Sequence, residues 1–321
     1  MPKKPIAIYY EHQNWFKPLF AELERRGAPA VHIDASQHRF DPGDLNGEAQ
    51  YGLVFNRTSP SAYNRGKQQT IFYTQNYLAH LESKGQRVIN GSRAQRFEIS
   101  KALQLSLLER LGLAYPKSRV INHPSEAPAA AEGLRFPVVV KPNIGGSGAG
   151  VTKYNTPDEL AAAASSNSIQ LGIDDTALVQ EFIPARGGFI TRVELLGGKF
   201  LYAIRVYITG DTFDLCPGDI CKTTDGKELS DIRNACAVDA AKSGLRVEGY
   251  TPPPEVIAAT ERIVQEAGID VGGIEYIIDD RDGALLYYDI NALSNFVADA
   301  VNVIGFDPFV KLADYLEQEA A

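Results

Sequence analysis

Short apolar runs alternate with amphipathic stretches through the first 90 residues. Residues 6–10 (IAIYY) have the length of a buried strand, and Leu19, Phe20 and Leu23 followed by Gly27 predict a helix stopped by glycine. Residues 31–33, 53–55 and 88–89 predict further strands. Strands separated by helical stretches imply a parallel, doubly wound sheet, since a parallel crossover needs a connection of helix length. Residues 92–111 read as helical with an interruption near Ser100. Leu103, Leu107 and Leu111 recur on one face, Gly112 supplies the stop, and Pro116 lies beyond it.

The pattern then turns to hairpins. Residues 136–141 form a β-branched run that enters a glycine-rich loop, and residues 178–183 (LVQEFI) predict a strand stopped by Pro184. Residues 190–196 and 200–208 are joined at Gly197-Gly198, a hairpin signal. Pro254 opens a helix carrying Val256, Ile257, Ile263 and Val264 and ending at Gly268. Residues 274–278 and 285–291 make a second hairpin around DDRDG, and residues 309–317 suggest a closing helix. The alanine-rich pieces at 127–133 and 160–166 read as helix and linker, the polar stretch 216–229 as an exposed loop.

Composition narrows the class. With 321 residues, 44% hydrophobic and 22% charged, the chain fits a globular protein of two or three domains able to build a core without disulfides. The net charge is 32 − 40 = −8 with no basic tract, which argues against nucleic acid as a partner. Cys216, Cys221 and Cys236 show no CxxC spacing and read as reduced thiols. The first apolar run is shorter than a signal-peptide core, and none approaches a membrane span, so a cytoplasmic protein with no membrane partner is expected. Neither a histidine pair at helical metal spacing nor a Ser–His–Asp arrangement stands out.

Two motifs carry candidate chemistry. Residues 138–151 read VVVKPNIGGSGAGV. Glycines let backbone amides approach a phosphate, and a neighbouring lysine offsets its charge. The loop is neither a Walker A motif nor a Rossmann fingerprint, and the reading is an anion-binding lid, with a plain surface turn as the alternative. In the second hairpin, symmetry about Asp282 sets Glu275 opposite Asp289, and alternation puts Asn291 on the face of Asp289. Like charges directly opposite destabilise a sheet unless something offsets them. Two carboxylates and an amide oxygen suit Mg²⁺ or Mn²⁺, with an exposed acidic face as the alternative.

Lysine strand, glycine lid, QEFI strand and carboxylate hairpin follow one another in an order that resembles the ATP-grasp superfamily, most closely its RimK-type amino-acid ligases and glutathione synthetases. The resemblance covers roughly residues 90–300, and the first 90 are compatible with the family's small α/β N-terminal domain. It implies an α/β ATP-grasp fold in three parts: residues 1–92, a lid-bearing subdomain 93–184, and a metal-bearing subdomain 185–321. It implies ATP held by Lys101, by Lys141, by Gly145, Gly146, Ser147 and Gly148 of the lid, and by the adenine strand Gln180, Glu181, Phe182 and Ile183. Metal ligands are implied at Glu275, Asp289 and Asn291, with aspartate where relatives usually carry glutamate. Arg205, and less directly Arg192, are implied as clamps on phosphate or substrate carboxylate; for Arg192 an ion pair with Glu194 is the alternative. The chain departs from relatives at Phe189-Ile190-Thr191, where many have an acid for the ribose, and over residues 211–224, which lack a Phe–Asn–Gly pattern.

The activity so implied is ATP-dependent joining of a carboxylate, on a small molecule or peptide, to an amine or amino acid through an acylphosphate, with release of ADP and phosphate. A small-molecule kinase and a non-catalytic nucleotide-binding module are the alternatives, and a homo-oligomer is left open.

Overall fold

Three sheets follow one another along the chain, and each uses hydrophobic periodicity differently. The computed structural model describes residues 4–43, 51–146, 148–208 and 246–321. Ser147, the three cysteines and the 216–229 loop therefore lie outside the described residues.

The first sheet is parallel, with β1 (Ile6–Tyr10), β2 (Ala30–Asp34), β3 (Leu53–Arg57) and β4 (Val88–Ile89) in the order β2-β1-β3-β4. Every residue of β1 and β3 is buried, as central strands covered on both faces must be. The crossover helices are α1 (Lys17–Arg25) and α2 (Gln68–Ser83). Next come α3 (Ser92–Glu98) and α4 (Lys101–Arg110), separated where Ser100 accepts from the Leu103 amide as an N-cap. That cap is the interruption expected near Ser100.

The second sheet is antiparallel: β5 (Ser118–Ile121), β6 (Val138–Pro142), β7 (Thr152–Tyr154) and β8 (Ala177–Glu181), ordered β5-β8-β6-β7. Helices α5 (Ala127–Ala130) and α6 (Pro157–Ser165) cover one face through Ala127, Ala131 and Leu160, so both alanine-rich pieces are helical.

The third sheet, also antiparallel, contains β9 (Phe189–Leu196), β10 (Lys199–Tyr207), β11 (Val247–Tyr250), β12 (Val271–Ile278) and β13 (Leu285–Asn291), ordered β11-β10-β9-β12-β13. Gly197 and Gly198 both take positive φ, at 60° and 71°, which a tight hairpin turn requires. Helix α7 (Pro254–Ala267) and α4 bury Ile263, Val264, Leu107 and Leu108 against one face. The other face shares a core with the first sheet, in which Tyr202, Ile204 and Val206 join Ile6, Ile8 and Phe55. After a short α8 (Ala300–Ile304), α9 (Pro308–Glu319) returns to pack on α1, burying Leu312 and Leu316 in that core.

The strands β5 and β11 carry little sequence signal. Both lie at sheet edges, where one partner suffices, and Val120 of β5 is exposed. Among the described residues, no helix is long and apolar enough to cross a membrane.

Candidate active site

The carboxylate hairpin is built as its symmetry predicts at one end and not at the other. Glu275 lies opposite Asp289, and Gly273 opposite Asn291, but the register slips between Glu275 and Tyr276. The extra residue is Tyr288, and such a bulge re-aims side chains at a strand end. Its hydroxyl donates to Glu275 Oε2 at 2.7 Å. From the neighbouring strand β9, Arg192 stands opposite Glu275 and donates through Nη1 to Oε1 at 2.8 Å, while its Nε holds Glu194 at 2.5 Å. Gly273 makes room for that guanidinium: a Cβ there would lie 2.6 Å from Arg192 Nη2.

Asp289 is paired separately. Lys101, at the start of α4, donates to its Oδ1, and Asn291 Nδ2 donates to its Oδ2 at 3.1 Å. Gln104, one turn along α4, fixes the helix to β13 by bonds to both the carbonyl and the amide of Ile290. The two facing acids thus each hold a cation, and this offsets their repulsion. Burial opposes ionisation of Asp289, but the Lys101 ammonium outweighs it and holds the carboxyl below its ordinary value. Burial dominates at Glu275 and raises it despite Arg192. Burial and the Glu275 charge push Tyr288 well up.

Lys141, one residue before the end of the lid strand β6, is buried with no described carboxylate on its amine. Burial, reinforced by the Lys101 charge, lowers it to about 7. Asn143 then organises the lid's entrance: its Oδ1 accepts from the Ala102 amide at 2.9 Å, and its Nδ2 donates to Asp174 at 2.7 Å. In the lid itself, Gly146 lies against Ser61, in the turn after β3, where a Cβ would come within 3.1 Å of the serine Cβ. Gly148 and Gly150 take positive φ, and a Cβ on Gly150 would sit 2.8 Å from Pro142 Cγ. Gly145 has only ordinary contacts, 3.6 Å to the Pro142 carbonyl.

The QEFI segment straddles the end of β8. Gln180 spends its amide nitrogen on Ser118 at 2.8 Å, and the buried Glu181 carboxylate accepts from the Arg135 amide at 3.0 Å. Backbone amides of Glu181 and Phe182 donate to Lys117 and Pro137, and Lys153 lies over the Phe182 ring at 4.3 Å. Among the described residues, the Ile183 amide has no acceptor. A purine edge could be read there by backbone, while the side chains of Gln180 and Glu181 serve the sheet.

One candidate is not brought to this cluster. Arg205 pairs across with Thr191, and Arg192 with Ile204, so the two arginines occupy opposite faces of the sheet. Arg205 stacks between Tyr250, 3.8 Å from that ring's centroid, and Phe189, at 4.6 Å. The structure thus sets Arg205 apart from the carboxylate pair by a one-residue difference in register, because successive side chains alternate faces. For Arg192, the ion pair with Glu194 and the contact with the site both hold. Arg57, at the end of β3, is buried, with Nη2 on the carbonyl of Ser294 and, at 3.2 Å, on Asn295. Two residues carry no sequence signal: Tyr288, revealed only by the bulge, and buried Glu98, whose carboxylate accepts from the Ala292 amide just past Asn291.

The donor set fits a hard divalent cation. It is oxygen only, it sits at one hairpin end, and Lys101 already places positive charge on Asp289. Among the described residues, no three His, Cys, Asp or Glu side chains converge, so substrate phosphates and water would complete the coordination of Mg²⁺.

A family profile described as the RimK-like ATP-grasp domain matches residues 99–315. The chain belongs to the RimK-like ATP-grasp family. Its class is accordingly that of ATP-dependent carbon–nitrogen ligases. A probable alpha-L-glutamate ligase of Teredinibacter turnerae is 31% identical over 212 residues, covering 64% of this chain and 67% of the relative. A D-alanine–D-alanine ligase of Geobacter sulfurreducens is 28% identical over 125 residues, covering 39% of this chain and 38% of the relative. The ATP-grasp ligase PsnB, solved with a phosphomimetic variant of its minimal precursor, Mg and ADP, superposes with a TM-score of 0.68 at 19% identity, covering 99% of this chain and 100% of PsnB. That last likeness is one of fold.

Proposed function

We propose that this ATP-grasp protein joins a carboxylate to an amine through an acylphosphate. The observation that carries the reading is the meeting of Lys101, Lys141 and the Glu275–Asp289 pair between the second and third sheets, beneath a glycine loop. Phosphoryl transfer depends mainly on positioning and on neutralising charge, and these residues are suited to both. The carboxylate oxygen attacks the γ-phosphorus of ATP and ADP leaves. The amine nitrogen then attacks the acyl carbon, the bond to the phosphate oxygen breaks, and an amide, phosphate and one proton result.

Each residue then has a task. Lys101 and Lys141 lie against the phosphates, and the lid amides close over them. Glu275, Asp289 and Asn291 hold Mg²⁺, which supplies charge neutralisation when bound. Arg192 and Tyr288 keep Glu275 in place. The named relatives are a probable glutamate ligase and a D-alanine–D-alanine ligase, and PsnB is also solved with a precursor peptide, which supports amino acids and peptides as the first substrates to try. The test is a screen of amino-acid and peptide pairs for ADP release, with mass spectrometry of the product. With the right acid and no amine, hydroxylamine should trap the acylphosphate as a hydroxamate. ADP formation with a stable, hydroxylamine-resistant phosphate ester would instead mark a kinase.

A further inference from the structure

Between Lys141 and the glycine loop stands Asn143, a buried residue whose every polar atom is engaged. Its backbone amide donates to the Thr176 carbonyl at 3.0 Å, and its carbonyl accepts from the Lys101 amide at 3.3 Å. Its Oδ1 accepts from the Ala102 amide at 2.9 Å and from the Ser100 hydroxyl at 3.2 Å, while Nδ2 donates to Asp174 Oδ2 at 2.7 Å. Asp174 leaves its Oδ1 buried without a hydrogen-bond partner among the described residues, a cost borne while Oδ2 holds the amide.

These bonds fall on the start of α4, where a helix has amides without an intrahelical acceptor. The Ser100 amide finds the Phe97 carbonyl at 3.3 Å, and the Leu103 amide finds the Ser100 hydroxyl at 3.3 Å. The other two, Lys101 and Ala102, both bond to Asn143. Helix α4 is itself docked on the third sheet through Gln104 and Leu107. Asn143 is instead placed by the second sheet, directly after β6, and Pro142 between it and Lys141 has a fixed φ. That proline is clasped by two glycines at positive φ: a Cβ on Gly150 would lie 2.8 Å from its Cγ, and one on Gly172 2.9 Å from its Cβ. Asn143 thus bridges the strand that carries Lys141 and the helix that carries Lys101.

We propose that Asn143 is a positioning residue that sets Lys101 against Lys141, and that Asp174 holds Asn143 in the orientation this requires. The inference rests on the ATP-grasp reading for what the two lysines bind, though not for the bridge itself. Asparagine suits the place because one side of its amide accepts and the other donates. A carboxylate at 143 still accepts from Ala102 but faces Asp174 as a second acid. With acid and amide swapped between the two positions, both bonds return with one donor reversed and the net charge unchanged.

The test compares the full-length wild type with Asn143→Asp, with Asp174→Ala, and with the swap Asn143→Asp/Asp174→Asn. Hydrogen exchange over residues 99–105 is read without ligand, and calorimetry gives the affinity for a non-hydrolysable ATP analogue with Mg²⁺. Asn143→Asp should speed that exchange and weaken the analogue by about tenfold, as loss of one buried hydrogen bond would. Asp174→Ala should move both readings in the same direction, and the swap should return both to near wild type. Affinity is measured where circular dichroism shows each variant fully folded, so lost stability by itself does not lower it. If Asn143→Asp does not fold, Asp174→Ala and the swap carry the comparison. Wild-type exchange and affinity in Asn143→Asp and Asp174→Ala, or faster exchange with undiminished affinity, overturns the inference, as does a swap that restores nothing. A wild type that binds no analogue removes the nucleotide reading, and the exchange rates alone then decide whether Asn143 and Asp174 fix Lys101.

Discussion

Asp289 is held by an ammonium at the position where it would hold a divalent cation. Facing acids alone would gain from neutralising one of them, but the pairing with Lys101 reverses that expectation. Asp289→Asn leaves the partly buried Lys101 without its carboxylate, and removal of one partner from such a pair costs about 1–3 kcal/mol. The ligand-free Tm should fall by several degrees and activity by orders of magnitude; an unchanged or higher Tm in calorimetry would show that the pair contributes nothing. Lys141 gives a second test. Its pKa is lowered to about 7 from 10.5, so between those values the unfolded chain binds a proton that the fold does not, and stability rises with pH. Glu98, buried and raised to about 7, binds a proton in the fold between 4.5 and 7, so its contribution falls over that range. Together they place a minimum near pH 7 in the ligand-free protein. Triphosphate beside Lys141 should recharge it, so nucleotide binding at pH 8 should take up protons. Calorimetry in buffers of different ionisation enthalpy measures that uptake, and Lys141→Met should abolish it.

At the scale of elements, β12 depends on two glycines that a strand interior ordinarily disfavours. A Cβ on Gly272 would meet the Asn291 carbonyl oxygen at 2.4 Å, and one on Gly273 the end of the Arg192 side chain at 2.6 Å. A backbone oxygen cannot step aside, whereas a guanidinium can turn. Gly272→Ala should therefore destabilise more than Gly273→Ala, which should cost about 1–3 kcal/mol. Gly273→Ala should also release Arg192 from Glu275 and lower turnover. Urea unfolding of the two variants checks the order, and a reversed order would mean that the sheet yields more readily than the side chain. The lid should gain order with its ligand, because glycine loses the most backbone freedom when fixed. Hydrogen exchange at Gly145, Gly146, Gly148 and Ala149 should slow when an ATP analogue and Mg²⁺ are added; identical rates in both states would indicate a rigid turn.

Across the whole molecule, the first and third sheets are joined by Asn90. With φ of 53°, its Nδ2 donates to the carbonyls of Val271 and Ala292 at 2.7 and 2.6 Å. Its Oδ1 accepts from the amides of Asp270 and Val271 at 2.9 and 3.1 Å. Asn90→Ala strands backbone groups of Asp270, Val271 and Ala292 beside the third sheet, each costing about 1–3 kcal/mol. A loss of about 3 kcal/mol or more in urea unfolding is expected. A loss under about 1 kcal/mol would mean that the shared apolar core, with α9 returning onto α1, holds the sheets together alone.

What the sequence determined was local. Runs of buried β-branched residues, glycine stops and the cap at Ser100 set strands and helices, and the turn around Asp282 set Glu275 against Asp289, because alternation and turn length are written in neighbouring residues. The edge strands β5 and β11 escaped because a strand that pairs on one side needs little apolar signal. Tertiary structure decided which charges meet. Lys101 reaches Asp289 across 188 residues, and Arg192 holds Glu275 as well as Glu194. Arg205 turns to the far face, and Tyr288 enters through a bulge. Period-two alternation fixes a face only once register is known, and register and sheet packing come from contacts between residues far apart in the chain.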